Sequence, residues 1–114
     1  MKLKMVSWNV RGLNDSRKSL VIRNLLRDWN CDVVCLQETK LAGMDSQLVC
    51  SLWSCSYVDW VALDADQTAG GVLMTWDRRA LEKLEVMVGY FSISGRWQGV
   101  ERFYLGLFWG LWPK

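Results

Sequence analysis

The stretch "VSWNVRGLN" (residues 6–14) and the stretch "DVVCLQETK" (residues 32–40) have the same form, an apolar run that ends in polar residues. The first run stops at Asn9, and the second stops at Gln37 and Glu38. The segment between them carries apolar side chains at helical spacing on one face: Ile22, Leu25, Leu26 and Trp29. A strand, a helix and a strand at this spacing predict a βαβ unit with two parallel strands.

The remaining sequence predicts more strands than helices. We expect strands over residues 3–10, 32–37, 57–65, 68–77, 84–94 and 101–112, and helices from Asp15 or Ser16 onwards and over residues 44–54. Gly70 and Gly71 open the strand at 68–77, which suggests a close backbone approach or an unusual φ. The pattern is that of an α/β protein without internal repeats or linkers.

Composition sets further bounds on function. The chain has 114 residues, enough for one domain, and 51% of them are apolar. A net charge of +2 is too small to indicate nucleic-acid binding by itself. There is no histidine, so the commonest general base and metal ligand at neutral pH is missing.

The four cysteines stand at positions 31, 35, 50 and 55. Because Cys35 lies in an apolar run, we expect free, reduced cysteines in the core, with a secreted disulfide pattern as the alternative. The spacings lack the two-residue knuckle of zinc sites, so no zinc site is predicted.

Asn9 and Glu38 are candidates for a functional site. Both follow predicted parallel strands, and sites in α/β sheets gather outside the carboxyl ends of such strands. A carboxylate suits Mg²⁺, and an asparagine amide can donate to a phosphate oxygen. The alternative is that Asn9 is a turn residue and Glu38 a solvated surface charge.

Three motifs in order, "SWNVRGLN", "DVVCLQETK" and "AGGVLMTWD", resemble the endonuclease/exonuclease/phosphatase family, in the form found in plant LINE-type (non-LTR) retrotransposons. The resemblance covers residues 4–93 and implies that residues 1–114 form a single partial domain. That domain would be the N-terminal half of a four-layer α/β/β/α sandwich. It also implies metal-dependent hydrolysis of phosphodiesters or phosphomonoesters. Asn9 and Glu38 would be catalytic and would hold one Mg²⁺ or Mn²⁺ ion, beside Gln37 and the structural glycines Gly70 and Gly71.

The sequence departs from the family pattern in its second half. The family's later motifs supply a tyrosine, an aspartate-x-asparagine pair and an aspartate-histidine pair. Here no aspartate follows Asp77 and no histidine occurs. No residue can therefore be assigned as the general base, and we expect this truncated domain to be inactive alone.

Two alternatives remain open. One is a non-catalytic remnant or a module that binds DNA or another partner through basic residues interrupted by Asp15 and Asp28: Arg11, Arg17, Lys18, Arg23 and Arg27. The other keeps the family but changes the branch, to a repair endonuclease or a phosphoesterase of lipids or inositides.

The resemblance also implies DNA as a partner. No signal peptide or membrane-spanning segment is predicted, so we expect an intracellular protein, nuclear for an active parent element. If the second half is absent, an apolar sheet face should be exposed and promote self-association. That face would draw on alternating residues of several strands: Trp8, Val10, Val72, Met74, Trp76, Val86, Val88 and Phe91.

Overall fold

The computed structural model describes residues 4–13, 16–41, 43–53, 57–64, 70–88, 92–99 and 104–110. In chain order the elements are β1 (Met5–Asn9), α1 (Ser16–Trp29), β2 (Val33–Gln37), α2 (Ser46–Trp53), β3 (Val58–Leu63), β4 (Val72–Asp77), β5 (Leu81–Val88), β6 (Ser92–Gly99) and β7 (Tyr104–Gly110). They form a four-stranded sheet, ordered β1-β2-β4-β3, and a three-stranded sheet, ordered β5-β6-β7.

The predicted βαβ unit is confirmed. β1 and β2 pair in parallel, with Asn9 opposite Gln37 at their carboxyl ends. β4 then runs antiparallel to both β2 and β3, so Val72 starts beside Gln37. The first sheet therefore brings the ends of β1 and β2 and the start of β4 to one edge.

Both helices pack on one face of the four-stranded sheet. Ile22 and Leu26 of α1 are buried, as the helical spacing predicted. They share a cluster with α2 and with alternate residues of β2 and β4: Val49, Leu52, Val34, Leu36 and Leu73. At about 25 cal/mol per Å² of apolar area, such side chains supply most of the energy that holds a helix to a sheet.

The second sheet covers the opposite face of the first. Its residues Leu81, Ile93 and Trp97 are buried against Val33, Cys35 and Met74. The Trp97 ring meets the Trp76 ring edge to face, with centroids 5.3 Å apart. In the described residues the layers are thus helices, sheet, sheet, and β2 is buried on both sides because a layer covers each of its faces.

The expectation of an exposed apolar face is wrong for β4, the strand that contributes three of the residues expected on that face. Val72, Met74 and Trp76 are at most 1% exposed, because β5 and β6 lie over them. Val10 is also buried, and Trp8 is partly buried, on the helical side. Val86 packs against the core, Val88 is exposed, and Phe91 lies outside the described residues.

The single strand expected over residues 84–94 is also wrong. The structure has two antiparallel strands there, β5 and β6, with Val88 opposite Ile93. Strand β7 confirms the last expected strand, although its side chains, apart from Gly106, are outside the part of the chain that the structure describes.

Three of the four cysteines are described, and all three are free. Cys35 is buried, and burial raises the pKa of its thiol to about 12. Cys31 is partly buried, and burial also raises its pKa. Cys50 is exposed on α2, so the expectation of a core cysteine is wrong there, and Cys55 lies outside the described residues.

Among the described helices, none has the length and apolar character needed to cross a bilayer.

Candidate active site

Three loops join at the carboxyl edge of the four-stranded sheet: residues 10–13, residues 38–40 and residues 70–71, here called the site loops. The sheet's hydrogen bonding continues through them beyond the ends of the strands. The bonds are Val10 N–H to Gln37 C=O (3.0 Å), Gly12 N–H to Glu38 C=O (2.7 Å), Leu13 N–H to Thr39 C=O (2.9 Å), Thr39 N–H to Gly71 C=O (3.3 Å) and Lys40 N–H to Gly70 C=O (2.6 Å). The site loops are therefore joined to one another by backbone hydrogen bonds that extend those of the strands.

Asn9 makes two hydrogen bonds with its side chain. Its Oδ1 accepts the backbone N–H of Arg11 at 3.1 Å, and its Nδ2 donates to Glu38 Oε2. The first bond fixes the orientation of the amide, since only the oxygen can accept from an N–H. Asn9 is thus the turn residue of the simpler interpretation, and the same turn directs its nitrogen at Glu38.

Glu38 has a backbone φ of 54°, in the left-handed region. This conformation costs about 1–2 kcal/mol for a residue with a side chain. Two backbone hydrogen bonds to the other site loops hold it there. The Glu38 carbonyl accepts from the Gly12 N–H, and the Thr39 N–H donates to the Gly71 carbonyl. Strained residues held by over-determined surroundings cluster at functional sites, and Glu38, Arg11 (φ 55°) and Lys40 (φ 56°) all lie in the site loops.

The two glycines expected to need unusual backbone geometry have different reasons for being glycine. Gly71 has a φ of 88°, which side chains rarely tolerate. Gly70 lies against Glu38, and a Cβ there would stand 3.2 Å from Glu38 Cα. Gln37, the motif neighbour of Glu38, donates from Nε2 to Ser7 Oγ at 3.0 Å and so ties β2 to β1 beside the site.

A groove of about 730 Å³ lies next to Asn9, between β1 and α1. It is lined by Trp8, Asn9, Val10, Arg11, Arg17, Lys18, Val21 and Ile22. Lys18 Nζ donates to the Arg11 carbonyl at 3.0 Å and so joins the first turn of α1 to a site loop. Three of the five basic residues considered in the sequence thus line one groove. Arg27 and Arg23 line other depressions on α1.

The sequence pattern that defines the Endonuclease/Exonuclease/phosphatase family matches residues 6–111. The chain belongs to this family. Over 39 residues it is 38% identical to an exodeoxyribonuclease of Bacillus subtilis (strain 168), a stretch that is 34% of this chain and 16% of the relative.

Two solved structures of AP endonucleases share the fold. The AP endonuclease LMAP from Leishmania major superposes with a TM-score of 0.67 at 18% identity, over 93% of this chain and 39% of its own. The catalytic domain of Xenopus laevis APE2 gives a TM-score of 0.59 at 17% identity, over 93% of this chain and 43% of its own. The chain therefore spans about two fifths of the length of these relatives.

Members of the endonuclease/exonuclease/phosphatase family generally depend on a divalent metal. Within the described residues no three His, Cys, Asp or Glu side chains cluster as a ready cage. The charged oxygen ligand at this place is the carboxylate of Glu38, and the exposed Asn9 amide meets it through Nδ2, which donates a hydrogen bond and cannot ligate a cation. Mg²⁺ keeps several waters and often takes only one or two protein carboxylates, so Glu38 is compatible with a hydrated ion.

The hydrogen bond of Lys18 to Arg11 and the identity of Glu38 as the neighbour of Gly70 were not found by sequence reasoning. Lys18 is one of several basic residues on α1, and nothing in the pattern distinguishes the one that reaches Arg11. The contact of Gly70 depends on the pairing of β2 with β4, and a local motif does not specify that pairing.

Proposed function

We propose that this chain forms the metal-holding part of a site that hydrolyses phosphodiesters, with DNA as the substrate class. The observation that carries the proposal is the contact between Asn9 and Glu38 at the ends of two parallel strands, with Glu38 in a strained backbone conformation. Membership of the endonuclease/exonuclease/phosphatase family and the nuclease relatives support it.

Each residue of the site would have a defined task. Glu38 would hold the ion, and Asn9 would orient the Glu38 carboxylate through the hydrogen bond from its Nδ2. A bound Mg²⁺ or Mn²⁺ would polarise the phosphate oxygen and stabilise the charge that develops on it. The cations of the adjacent groove, Arg11 and Arg17, would hold neighbouring phosphates of the same strand.

We further propose that this chain alone does not cut DNA. It has no histidine and no aspartate after Asp77, so the aspartate and histidine of the family's later motifs, which would act as base and acid, have no counterpart in this sequence. Each such group contributes about 10²–10⁴-fold to the rate of an enzyme.

Binding of Mn²⁺, followed by the electron paramagnetic resonance of the free ion, tests the metal site directly. The wild-type chain should bind one ion, and Glu38→Gln, which keeps the shape but loses the charge, should weaken binding by at least tenfold. Equal affinities of the two proteins would refute the proposal. In parallel, plasmid DNA incubated with the wild-type chain and Mg²⁺ or Mn²⁺ should remain uncut. Nicking by the wild type that is lost in Glu38→Ala would overturn the proposal that the chain alone is inactive.

A second candidate function is DNA or partner binding without catalysis. The groove beside Asn9 favours it, because three basic residues and the apolar bodies of Trp8 and Val21 lie together there. Fluorescence anisotropy with a labelled duplex separates the two functions. Binding that survives without metal and in Glu38→Gln, and falls steeply with salt, would favour the binding module.

We also propose to which branch of the family the chain belongs. The motif "SWNVRGLN" supports descent from a plant LINE-type retrotransposon endonuclease acting in the nucleus, against a repair endonuclease or a phosphoesterase of lipids or inositides. Sequencing the genomic DNA downstream of the Lys114 codon tests the descent. A reverse-transcriptase frame there would support it, and continuation into a complete repair enzyme would exclude it.

The four-layer sandwich and self-association are likewise proposals. Leu84 and Met87 of β5 are 44% and 65% exposed. We infer that a second helical layer covers this side of the second sheet in a complete α/β/β/α sandwich, and that without it two copies associate there.

A further inference from the structure

The Glu38 side chain has little space beside the residues that precede β4, and its own sequence motif does not reveal this. Its left-handed backbone (φ 54°) lies against the residues that precede β4. The hydrogen bond from Lys40 N–H to the Gly70 carbonyl, at 2.6 Å, holds residues 38–40 close to residues 70–71. The Glu38 side chain must therefore pass close to Gly70 before its carboxylate reaches Asn9 Nδ2.

The space for that path exists because Gly70 has no side chain. A Cβ on Gly70 would lie 3.2 Å from both Glu38 Cα and Glu38 Cγ, and 3.4 Å from Glu38 Cβ. The backbone of Gly70 is not in the left-handed region, unlike that of Gly71 at 88°. The φ of Gly70 therefore does not exclude alanine, and the three nearest atoms that its Cβ would meet all belong to Glu38.

We propose that Gly70 is a positioning residue, which sets the direction of the Glu38 carboxylate by leaving its side chain room to turn towards Asn9. This inference rests on the proposed metal site, because it gives Gly70 a purpose only if Glu38 holds an ion. Contacts that orient a metal ligand are typically worth 10–100-fold in metal affinity.

The variant Gly70→Ala tests the proposal in the full chain. We expect about tenfold weaker Mn²⁺ binding, by the same resonance measurement, in a protein that keeps its far-ultraviolet circular dichroism. Gly43→Ala is the matched control, since a Cβ at Gly43 meets nothing within 4 Å, and it should bind Mn²⁺ as the wild type does. In a Glu38→Gln background, Gly70→Ala should cause no further loss of Mn²⁺ affinity.

Unchanged Mn²⁺ affinity in Gly70→Ala, or an equal loss in Gly43→Ala, would overturn the inference. Thermal unfolding without metal gives an independent measure, and it serves even if Gly70→Ala alone folds poorly. Glu38→Gly removes the opposing side chain and suits a φ of 54°. The fall in melting temperature caused by Gly70→Ala should shrink in the Glu38→Gly background, and an undiminished fall would overturn the inference.

The two proposals fail in distinguishable ways. If Glu38→Gln leaves Mn²⁺ binding intact, the metal site is wrong. The unfolding measurements on the Gly70 and Glu38 variants then still decide whether Gly70 makes room for Glu38.

Discussion

Individual carboxylates at the two ends of β4 have different surroundings. At the carboxyl edge of the first sheet, Glu38 lies beside the start of β4 and meets an amide. At the far end of β4, Asp77 accepts hydrogen bonds from Arg79, from the backbone N–H at 2.8 Å and from Nη2 at 2.8 Å. Arg79 in turn stacks on Tyr57, 4.6 Å from the ring centroid, so this corner is held by charge as well as by the turn.

Acid should weaken this corner. The side-chain hydrogen bond from Arg79, opposed in part by burial, holds the pKa of Asp77 below its usual value. The folded state therefore binds this proton less readily than the unfolded state. The stabilisation is fully present above the unfolded pKa of about 3.9 and is lost as pH falls through the folded pKa.

We expect the pair to contribute no more than about 1 kcal/mol, because the Arg79 side chain is 60% exposed and solvent screens the charge. Urea unfolding between pH 7 and pH 3 measures it. Asp77→Asn should be less stable than the wild type at pH 7, and the difference should shrink as the pH falls below about 3.9. The exposed Asp64 offers a control in Asp64→Asn, and an unchanged pH dependence in Asp77→Asn would contradict the assignment.

Among the elements, those with a helical spacing of apolar residues or a clearly bounded apolar run were predictable from the sequence. The stripe through Ile22 and Leu26 predicted α1, and the uninterrupted apolar run of β2 predicted a strand covered on both sides. The pair β5 and β6 was not resolved, because residues 84–94 alternate without a proline or an Asn-Gly turn to mark the reversal.

In the second sheet, Gly95 of β6 should not tolerate a side chain. A Cβ there would lie 2.7 Å from Trp97 Cη2 and 2.8 Å from the Glu85 carbonyl oxygen, and Trp97 is buried against Trp76. Gly95→Ala should therefore cost about 1–3 kcal/mol through overpacking.

The neighbouring strand provides the control for this measurement. Gly106 of β7 pairs with Arg96, and a Cβ on it meets nothing within 4 Å. Gly106→Ala should leave the free energy of unfolding in urea within about 0.5 kcal/mol of the wild type, as surface substitutions usually do. Equal effects of the two substitutions would mean that Trp97 does not pack over β6 in this way.

At the scale of the whole molecule, the described residues bury a face that the sequence alone suggested would be open. The βαβ unit, the sheet edge and the meeting of Asn9 with Glu38 follow from local patterns, and they were predictable. The folding of the second sheet onto Met74 and Trp76 is a tertiary event between distant segments, and no local pattern specifies it. The meeting of the two candidate side chains was thus predictable, and the packing that holds them was not.

Self-association should use β5 rather than the inner face of the sheets. Met87 is the most exposed of its large apolar residues, at 65%. We expect size-exclusion chromatography with light scattering to show a concentration-dependent dimer that Met87→Lys converts to monomer. Leu20→Lys, at a residue 55% exposed on α1, should leave the dimer unchanged. A wild-type monomer at all concentrations would exclude this surface as an interface.

The site loops have a consequence for the order of events as the chain is made. They are joined by backbone hydrogen bonds from three stretches that are far apart in sequence. Asn9 and Gly12, which bond to Glu38, precede it in the chain, but Thr39 and Lys40 gain their partners only when Gly71 and Gly70 have been synthesised and β4 has paired with β2. Non-local pairing of this kind forms late and slowly in folding. The site loops of a nascent chain are therefore complete only after the first sheet has closed, and loading of the proposed metal site should report that closure.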